Sequence, residues 1–198
     1  SQTILFERFM NTIGVIPARL HSTRLPKKIL QKIAGKPMVV HVYERAQQAK
    51  LLDDLIVAID SDESLSVLKD WNIKTIMTAD NYVSGTDRVW EVAKDSDADV
   101  VLNIQGDEPE LNPKLIDKLV EQFKDKTIQM ATVAARQIDP QNIYDLNTVK
   151  VSLDQDGFAD KFQRKLKVNE IADYFHHIGI YGYRKKTLEK LTHLVPSK

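Results

Sequence analysis

The stretch VVLNIQGDEP, residues 100–109, joins an apolar run to a polar, acidic turn. Its first five residues do not alternate regularly between apolar and polar types, which predicts a strand buried on both faces of a parallel sheet. The glycine and the proline that follow predict a turn directly after this strand. Because ligands bind beyond the carboxyl ends of the strands in open α/β sheets, we expect Gln105, Asp107 and Glu108 to lie at a binding site.

The Asp107 carboxylate in this turn is a suitable ligand for a hard cation. Proteins usually bind Mg²⁺ through one or two carboxylates together with substrate phosphates, so this position favours a magnesium site. An alternative interpretation is a solvated turn in which Asp107 and Glu108 stabilise the start of the next helix. The turn by itself leaves both interpretations open.

Apolar strands alternate with helical patterns along most of the chain. This alternation predicts an α/β fold, a three-layer α/β/α sandwich with a mainly parallel, Rossmann-like sheet. No periodic pattern is found between Asp160 and Asn169, where a concentration of cations predicts a mobile or partner-bound segment. The predicted strands are 12–16, 55–59, 74–77, 100–104, 130–136, 149–153 and 178–183, and the predicted helices are 38–50, 62–71, 85–94, 113–123 and 185–194.

The composition argues against several classes of partner. Among 198 residues, 28 Lys and Arg balance 28 Asp and Glu, so no overall field favours nucleic acid or a membrane surface. No apolar run approaches the ~20 residues that span a bilayer. There is no cysteine, which fits a cytoplasmic location and excludes disulfides within this sequence. The length fits one domain, 12–198, and we expect residues 1–11 to be a leader or a cloning remnant.

Cations are concentrated directly after the first predicted strand, where Arg19, Arg24, Lys27 and Lys28 flank Pro26. No glycine-rich phosphate-binding fingerprint is present. Arginine forks and a lysine point charge can nevertheless hold a polyphosphate without such a loop. The alternative is a solvated basic turn.

A second candidate anion site is the helix start at Ser84-Gly85-Thr86. The free backbone N–H groups and the dipole at the start of a helix favour anions or polar ligands. Serine and threonine are also common helix caps, so the motif alone does not separate binding from capping.

Several motifs occur in a characteristic order. They are Pro17-Ala18-Arg19, Ser22-Thr23-Arg24-Leu25-Pro26, Lys28, Gly35-Lys36-Pro37-Met38, Ser84-Gly85-Thr86-Asp87-Arg88, Gln105-Gly106-Asp107-Glu108-Pro109, Met130-Ala131-Thr132, Val149-Lys150-Val151 and His177-Ile178-Gly179-Ile180-Tyr181-Gly182-Tyr183. In this order the chain resembles the 3-deoxy-manno-octulosonate cytidylyltransferases, also called CMP-Kdo synthetases. The resemblance implies a nucleotidyltransferase domain that converts CTP and Kdo to CMP-Kdo and pyrophosphate, a step of lipopolysaccharide synthesis in Gram-negative bacteria.

The resemblance also implies roles for individual residues, with Arg19, Lys28 and Asp107 as the catalytic set. In such a reaction, cations and Mg²⁺ neutralise the charge that grows on the leaving pyrophosphate. The family further suggests a homodimer. The roles carried over are triphosphate binding by Arg19, Arg24 and Lys28, nucleotide contacts by Ser84 and Gly85, Mg²⁺ ligation by Asp107, and contacts to the sugar acid by Gln105, His177 and Tyr181.

The sequence departs from the family pattern at several places. The family usually has Gly at position 27, His-Gln at 82–83 and Arg at 176. We expect the chain to lack an internal aromatic segment near residues 159–160 and the family's C-terminal part, with its second metal-binding aspartate. The alternatives are therefore a cytidylyltransferase for another 2-keto sugar acid, or a CTP-binding protein without catalytic activity.

Overall fold

The computed structural model describes residues 10–20, 27–82, 84–136, 138 and 140–194. Of the predicted site residues, Arg24 lies outside these ranges. The strands are β1 (Thr12–Ala18), β2 (Lys32–Ile33), β3 (Lys36–Pro37), β4 (Asp54–Ile59), β5 (Thr75–Met77), β6 (Val100–Ile104), β7 (Met130–Ala135), β8 (Lys150–Leu153), β9 (Ala159–Gln163) and β10 (Tyr174–Arg184). The α-helices are α1 (Met38–Ala46), α2 (Asp62–Leu68), α3 (Gly85–Ala93), α4 (Pro113–Gln122), α5 (Pro140–Ile143) and α6 (Lys185–Thr192), and 3-10 helices cover Lys28–Leu30, Lys69–Trp71 and Val168–Asp173.

The chain divides into two compact units. The first unit runs to Ala131 and resumes at Ile180, and the second unit is Thr132–Gly179. None of the helices in the described ranges has the length and apolarity needed to cross a membrane.

The first unit contains a mainly parallel sheet in the order β5-β4-β1-β6, in which neighbouring strands are parallel. The last residues of β10 add an antiparallel strand beside β6, with Ile180 opposite Ile104. The buried runs of β1, β4 and β6 explain this order, because each is apolar on both faces and needs cover on both sides.

Helices cover both faces of this sheet. Ile13, Val15 and Ile56 pack in one buried cluster with Val89 of α3 and Leu188 of α6. The other face is covered by α1 and α4, which contact each other. The three-layer α/β/α architecture and the mainly parallel sheet predicted from the sequence are therefore confirmed.

Strand β1 is longer than the sequence predicts, because it continues through Pro17 to Ala18. Pairing with β6 stops at Val15, while pairing with β4 continues to Ala18. A proline, which has no N–H to donate, is tolerated where a strand is paired on one side only.

The second unit corrects the prediction for residues 160–169. Ala159–Gln163 forms β9, which pairs antiparallel with β8 after a turn at Gly157. Gly157 has a φ of +85°, in the left-handed region that suits glycine. Residues 160–163 therefore lie in a regular strand, contrary to the prediction for this segment. The 3-10 helix Val168–Asp173 follows.

Candidate functional site

A cavity of about 500 Å³ opens at the carboxyl ends of β1 and β6 in the first unit. This is the edge of an open α/β sheet at which ligands bind. The cavity brings together side chains from three separated segments of the chain and from β10. Its lining residues are Pro17, Arg19, Lys28, Ile29, Gly85, Thr86, Asn103, Gln105, Gly106, Asp107, Tyr181 and Tyr183.

Opposite charges meet on one wall of this cavity. The Nζ of Lys28 donates a hydrogen bond to the Oδ2 of Asp107 at 2.6 Å. Both side chains keep more than a third of their surface exposed, 39% for Lys28 and 35% for Asp107. A pair this accessible contributes little to folding stability, so its charges are available to a ligand.

Arg19 stands directly beyond β1, whose last residue is Ala18. Lys28 starts a 3-10 helix, and the preceding residue, Lys27, has a φ of +60°. This left-handed conformation is the one that favours glycine, which accounts for the glycine usual at this position in the family that the sequence resembles. The side chain of Lys27 pairs with Glu63 at 2.7 Å on the surface, with 53% of its own surface exposed.

The start of α3 forms another wall of the cavity. Ser84 caps this helix: its Oγ accepts the Asp87 N–H at 3.1 Å, and the Asp87 carboxylate accepts the Ser84 N–H at 3.1 Å. This reciprocal pair satisfies two backbone groups that would otherwise be unpaired at a helix start. Gly85 follows at the first helical position, and a methyl group there would meet the side chain of Pro17, with Cγ at 3.6 Å and Cβ at 3.9 Å.

Two tyrosines of β10 contribute an aromatic wall. The rings of Tyr181 and Tyr183 are stacked, with centroids 6.2 Å apart and planes inclined by 18°. Burial raises the pKa of both phenols, so both are uncharged hydroxyl groups at neutral pH. Asn103 of β6 lies opposite Tyr181 in register, and its Oδ1 is buried with no hydrogen-bond partner among the residues described.

Glu108, next to Asp107, has a carboxyl group with a raised pKa. Burial is the larger cause, and the neighbouring charge of Asp107 adds to it. Both effects disfavour the ionised form of Glu108. Among the described residues no group of three or more histidine and acidic side chains is arranged to hold a metal. Asp107 lines the cavity, and a carboxylate of this kind can bind Mg²⁺ together with phosphate oxygens.

His177 belongs to the second unit, where it is 8% exposed. Its Nε2 forms a hydrogen bond of 2.9 Å with the Thr132 hydroxyl, and its ring meets Phe162 edge-on with centroids 5.2 Å apart. Burial lowers the pKa of His177, and the neighbouring His176 lowers it further. The imidazole is therefore neutral at neutral pH.

Of the residues predicted from the sequence, the structure gathers Arg19, Lys28, Gly85, Gln105, Asp107 and Tyr181 around one cavity. Ser84 instead places its hydroxyl in the helix cap, and His177 lies in the second unit. Thr86, which the sequence analysis placed in the candidate anion site, also lines the cavity, whereas Asn103 and Tyr183 were assigned no role from the sequence. Asn103 had a signal, because it is the one polar residue in an otherwise apolar strand, VVLNI.

Comparison with known proteins gives matches over almost the whole chain. Residues 13–198 match the family model described as cytidylyltransferase. A 3-deoxy-manno-octulosonate cytidylyltransferase of Chloroherpeton thalassium is 41% identical over 196 residues, which cover 95% of this chain and 80% of that protein. The protein of the same name from Koribacter versatilis is 42% identical over 189 residues, which cover 91% of this chain and 71% of that protein. The solved structure of a CMP:2-keto-3-deoxy-manno-octonic acid synthetase complexed with CTP matches with a TM-score of 0.84 at 36% identity, covering 94% of this chain and 79% of that one.

Proposed function

Because the chain belongs to the cytidylyltransferase family, we propose that it transfers CMP from CTP to Kdo and releases pyrophosphate, the activation step that supplies Kdo for lipopolysaccharide. One observation carries the proposal beyond family membership. Arg19, Lys28 and Asp107 lie around a single cavity at the carboxyl edge of the parallel sheet. A polyphosphate, its metal ion and a second substrate can all be held at such an edge.

The cations act on the triphosphate. Arg19 presents a planar fork that can hold two phosphate oxygens, and Lys28 supplies a compact point charge. We assign Arg24 to the same role from its place in the motif. Together these side chains orient the α-phosphate and oppose the charge that develops on the leaving pyrophosphate.

Asp107 is the proposed Mg²⁺ ligand. When bound there, Mg²⁺ neutralises phosphate charge and stabilises the departing pyrophosphate. Lys28 already contacts the carboxylate of Asp107 at 2.6 Å, so the residue that holds phosphate and the residue that holds metal are adjacent. Glu108 has a raised pKa and is a weaker candidate ligand for that reason.

The sugar acid is assigned to polar and aromatic groups. Gln105 and Tyr181 line the cavity, and the buried acceptor of Asn103 lies on the same wall. A substrate hydroxyl can satisfy such an acceptor. The anomeric hydroxyl oxygen of Kdo attacks the α-phosphorus, the bond to the β-phosphate oxygen breaks, and the hydroxyl proton is released to water. His177, neutral at neutral pH, is proposed as a further sugar contact from its place in the motif.

The proposal includes a homodimer in the cytoplasm. The second unit exposes several large apolar side chains, among them Tyr144 at 68%, Phe158 at 61% and Val168 at 75%. Exposed apolar groups of this size favour association. Sedimentation equilibrium of the purified chain measures this directly, and a monomer at micromolar concentration would contradict the dimer.

The activity is tested by pyrophosphate release with Kdo and Mg²⁺, run separately with CTP, UTP, ATP and GTP. Release with CTP alone is expected. Replacing Kdo with another 2-keto sugar acid measures which acceptor is preferred, and faster release with that acceptor would overturn the assignment of Kdo. Calorimetric binding of CTP without pyrophosphate release under any of these conditions would identify a nucleotide-binding protein without turnover.

A further inference from the structure

The guanidinium of Arg88 is a buried charge that the proposed mechanism does not use. The side chain is fully buried on α3 and donates hydrogen bonds to the Thr78 hydroxyl and, at 3.0 Å, to the Ala79 carbonyl. It also donates to the Asp60 Oδ2 at 3.3 Å. Burying a charge costs folding free energy unless the charge is paired, so these buried contacts are needed to hold Arg88 inside the fold.

The second carboxylate oxygen of Asp60 binds the backbone next to Arg19, one of the proposed triphosphate ligands. The Asp60 Oδ1 accepts the Leu20 N–H at 3.0 Å. The Leu20 carbonyl in turn accepts the Lys27 N–H at 2.8 Å. Leu20 is therefore fixed on both sides of its own backbone, once by Asp60 and once by Lys27.

The proposed triphosphate cations are the immediate neighbours of these two residues. Arg19 precedes Leu20, and Lys28 follows Lys27. Their backbone positions are consequently set by the two hydrogen bonds of Leu20. A displacement of about 1 Å at such a point is enough to reduce binding or catalysis many-fold.

We propose that Asp60 and Arg88 are positioning residues for the triphosphate site: Arg88 fixes the Asp60 carboxylate, which fixes Leu20 and with it the two cations. This inference rests on the proposed function. Asp60 is suited to the task because both its partners are donors and a carboxylate accepts with two oxygens. An asparagine has one acceptor and one NH₂ group, so it can satisfy only one of the two partners.

A matched control lies at the opposite ends of β1 and β4, the strands that Leu20 and Asp60 follow. Asp53 accepts the Thr12 N–H through its Oδ2 at 2.7 Å, so it also joins a carboxylate to the backbone of β1. Thr12 begins the strand, at the end remote from the cavity that opens beyond Ala18. Asp53→Asn weakens the same kind of bond without touching Leu20.

The test compares Asp60→Asn with Asp53→Asn in the intact chain. Calorimetry gives the Kd for CTP, kinetics give KM for each substrate, and urea denaturation gives the stability of each variant. Asp60→Asn is expected to raise the Kd and KM for CTP about tenfold, with KM for Kdo unchanged. Asp53→Asn is expected to lower stability without changing the Kd for CTP.

The outcomes are separable. A wild-type chain that releases no pyrophosphate with CTP and Kdo contradicts the proposed function. A wild-type chain that is active, with the same Kd for CTP in both variants, overturns the positioning role. If Asp60→Asn does not fold, Thr78→Val removes one acceptor of Arg88 and keeps the Asp60 charge, and the Kd for CTP is expected to rise about threefold. An unchanged Kd in that variant also overturns the inference.

Discussion

The Nζ of Lys28 lies 2.6 Å from the Oδ2 of Asp107, although the two residues are 79 positions apart in the chain. One follows the first strand of the parallel sheet and the other follows β6. Because β1 and β6 are parallel neighbours, their carboxyl ends lie at the same edge. The fold thus places Lys28, the proposed phosphate ligand, beside Asp107, the proposed metal ligand.

Lys28→Met is expected to raise the KM for CTP by about tenfold to hundredfold, because a charge-assisted contact to phosphate is lost. Lys27→Met is the matched control, since it removes an adjacent lysine that pairs with Glu63 on the surface. Initial rates of pyrophosphate release at varied CTP measure both variants. Equal effects of the two substitutions would show that only the overall charge of the segment matters.

Asp107→Asn is expected to lower kcat by at least about a hundredfold and to raise the Mg²⁺ concentration that gives half-maximal rate. Removal of Mg²⁺ with EDTA is expected to stop turnover of the wild-type chain and to be reversed by added Mg²⁺. Glu110→Gln, an exposed carboxylate in the same loop, is the control. A metal dependence that Asp107→Asn leaves unaltered would place the ion elsewhere.

The parallel sheet and its ligand-binding edge could be predicted because their signals are local. The strands β4 and β6 begin and end within one residue of the predicted bounds, since each is a short apolar run followed by polar, turn-forming residues. The order of the motifs predicted the family, and the match of residues 13–198 to the family model confirms that prediction. Six of the predicted site residues consequently meet at one cavity.

The features that could not be predicted depend on contacts between distant segments. Strand β9 is exposed at nearly every position and is held by backbone hydrogen bonds to β8, which leave no pattern in its side chains. The contact of Arg88 with Asp60 spans 28 positions and two helices. Neither residue is marked by periodicity, so the sequence shows their types but not their pairing.

Gly85→Ala tests whether the nucleotide approaches the start of α3. The added methyl group meets Pro17 Cγ at 3.6 Å, an ordinary contact, so the free energy of unfolding should not fall. If the nucleotide lies against Gly85, the KM for CTP rises by about tenfold because the methyl group occupies its space. Unchanged CTP kinetics in a variant of normal stability would remove Gly85 from the binding site.

Gly182→Ala is expected to lower the free energy of unfolding by about 1–3 kcal/mol, the usual cost of overpacking a core. A methyl group there would lie 2.7 Å from Phe123 Cε2 and 3.0 Å from Leu102 Cδ2. Urea denaturation gives the free energy of unfolding of Gly182→Ala and of Gly85→Ala. The comparison distinguishes destabilisation by crowding from any general effect of replacing a glycine. Equal stabilities would mean that Phe123 moves aside at little cost.

His177 makes stability depend on pH in a defined direction. Burial lowers its pKa below the ordinary value of 6.5. As the pH falls below about 6.5, the unfolded chain binds a proton that the folded chain does not, so the free energy of unfolding falls until the folded pKa is reached. Urea midpoints of the wild type at neutral pH and at about pH 5.5 measure this loss.

His177→Gln is expected to reduce that loss while keeping a polar partner for the Thr132 hydroxyl. Burial also lowers the pKa of His176, so this residue contributes to the pH dependence in the same direction. The variant in which both histidines are replaced by glutamine should therefore show the smallest pH dependence. Because the pKa of each histidine is lowered, each substitution reduces the loss in free energy of unfolding at acidic pH and not at alkaline pH. A pH dependence identical to that of the wild type would mean that the buried imidazole of His177 takes up its proton as readily as an unfolded one.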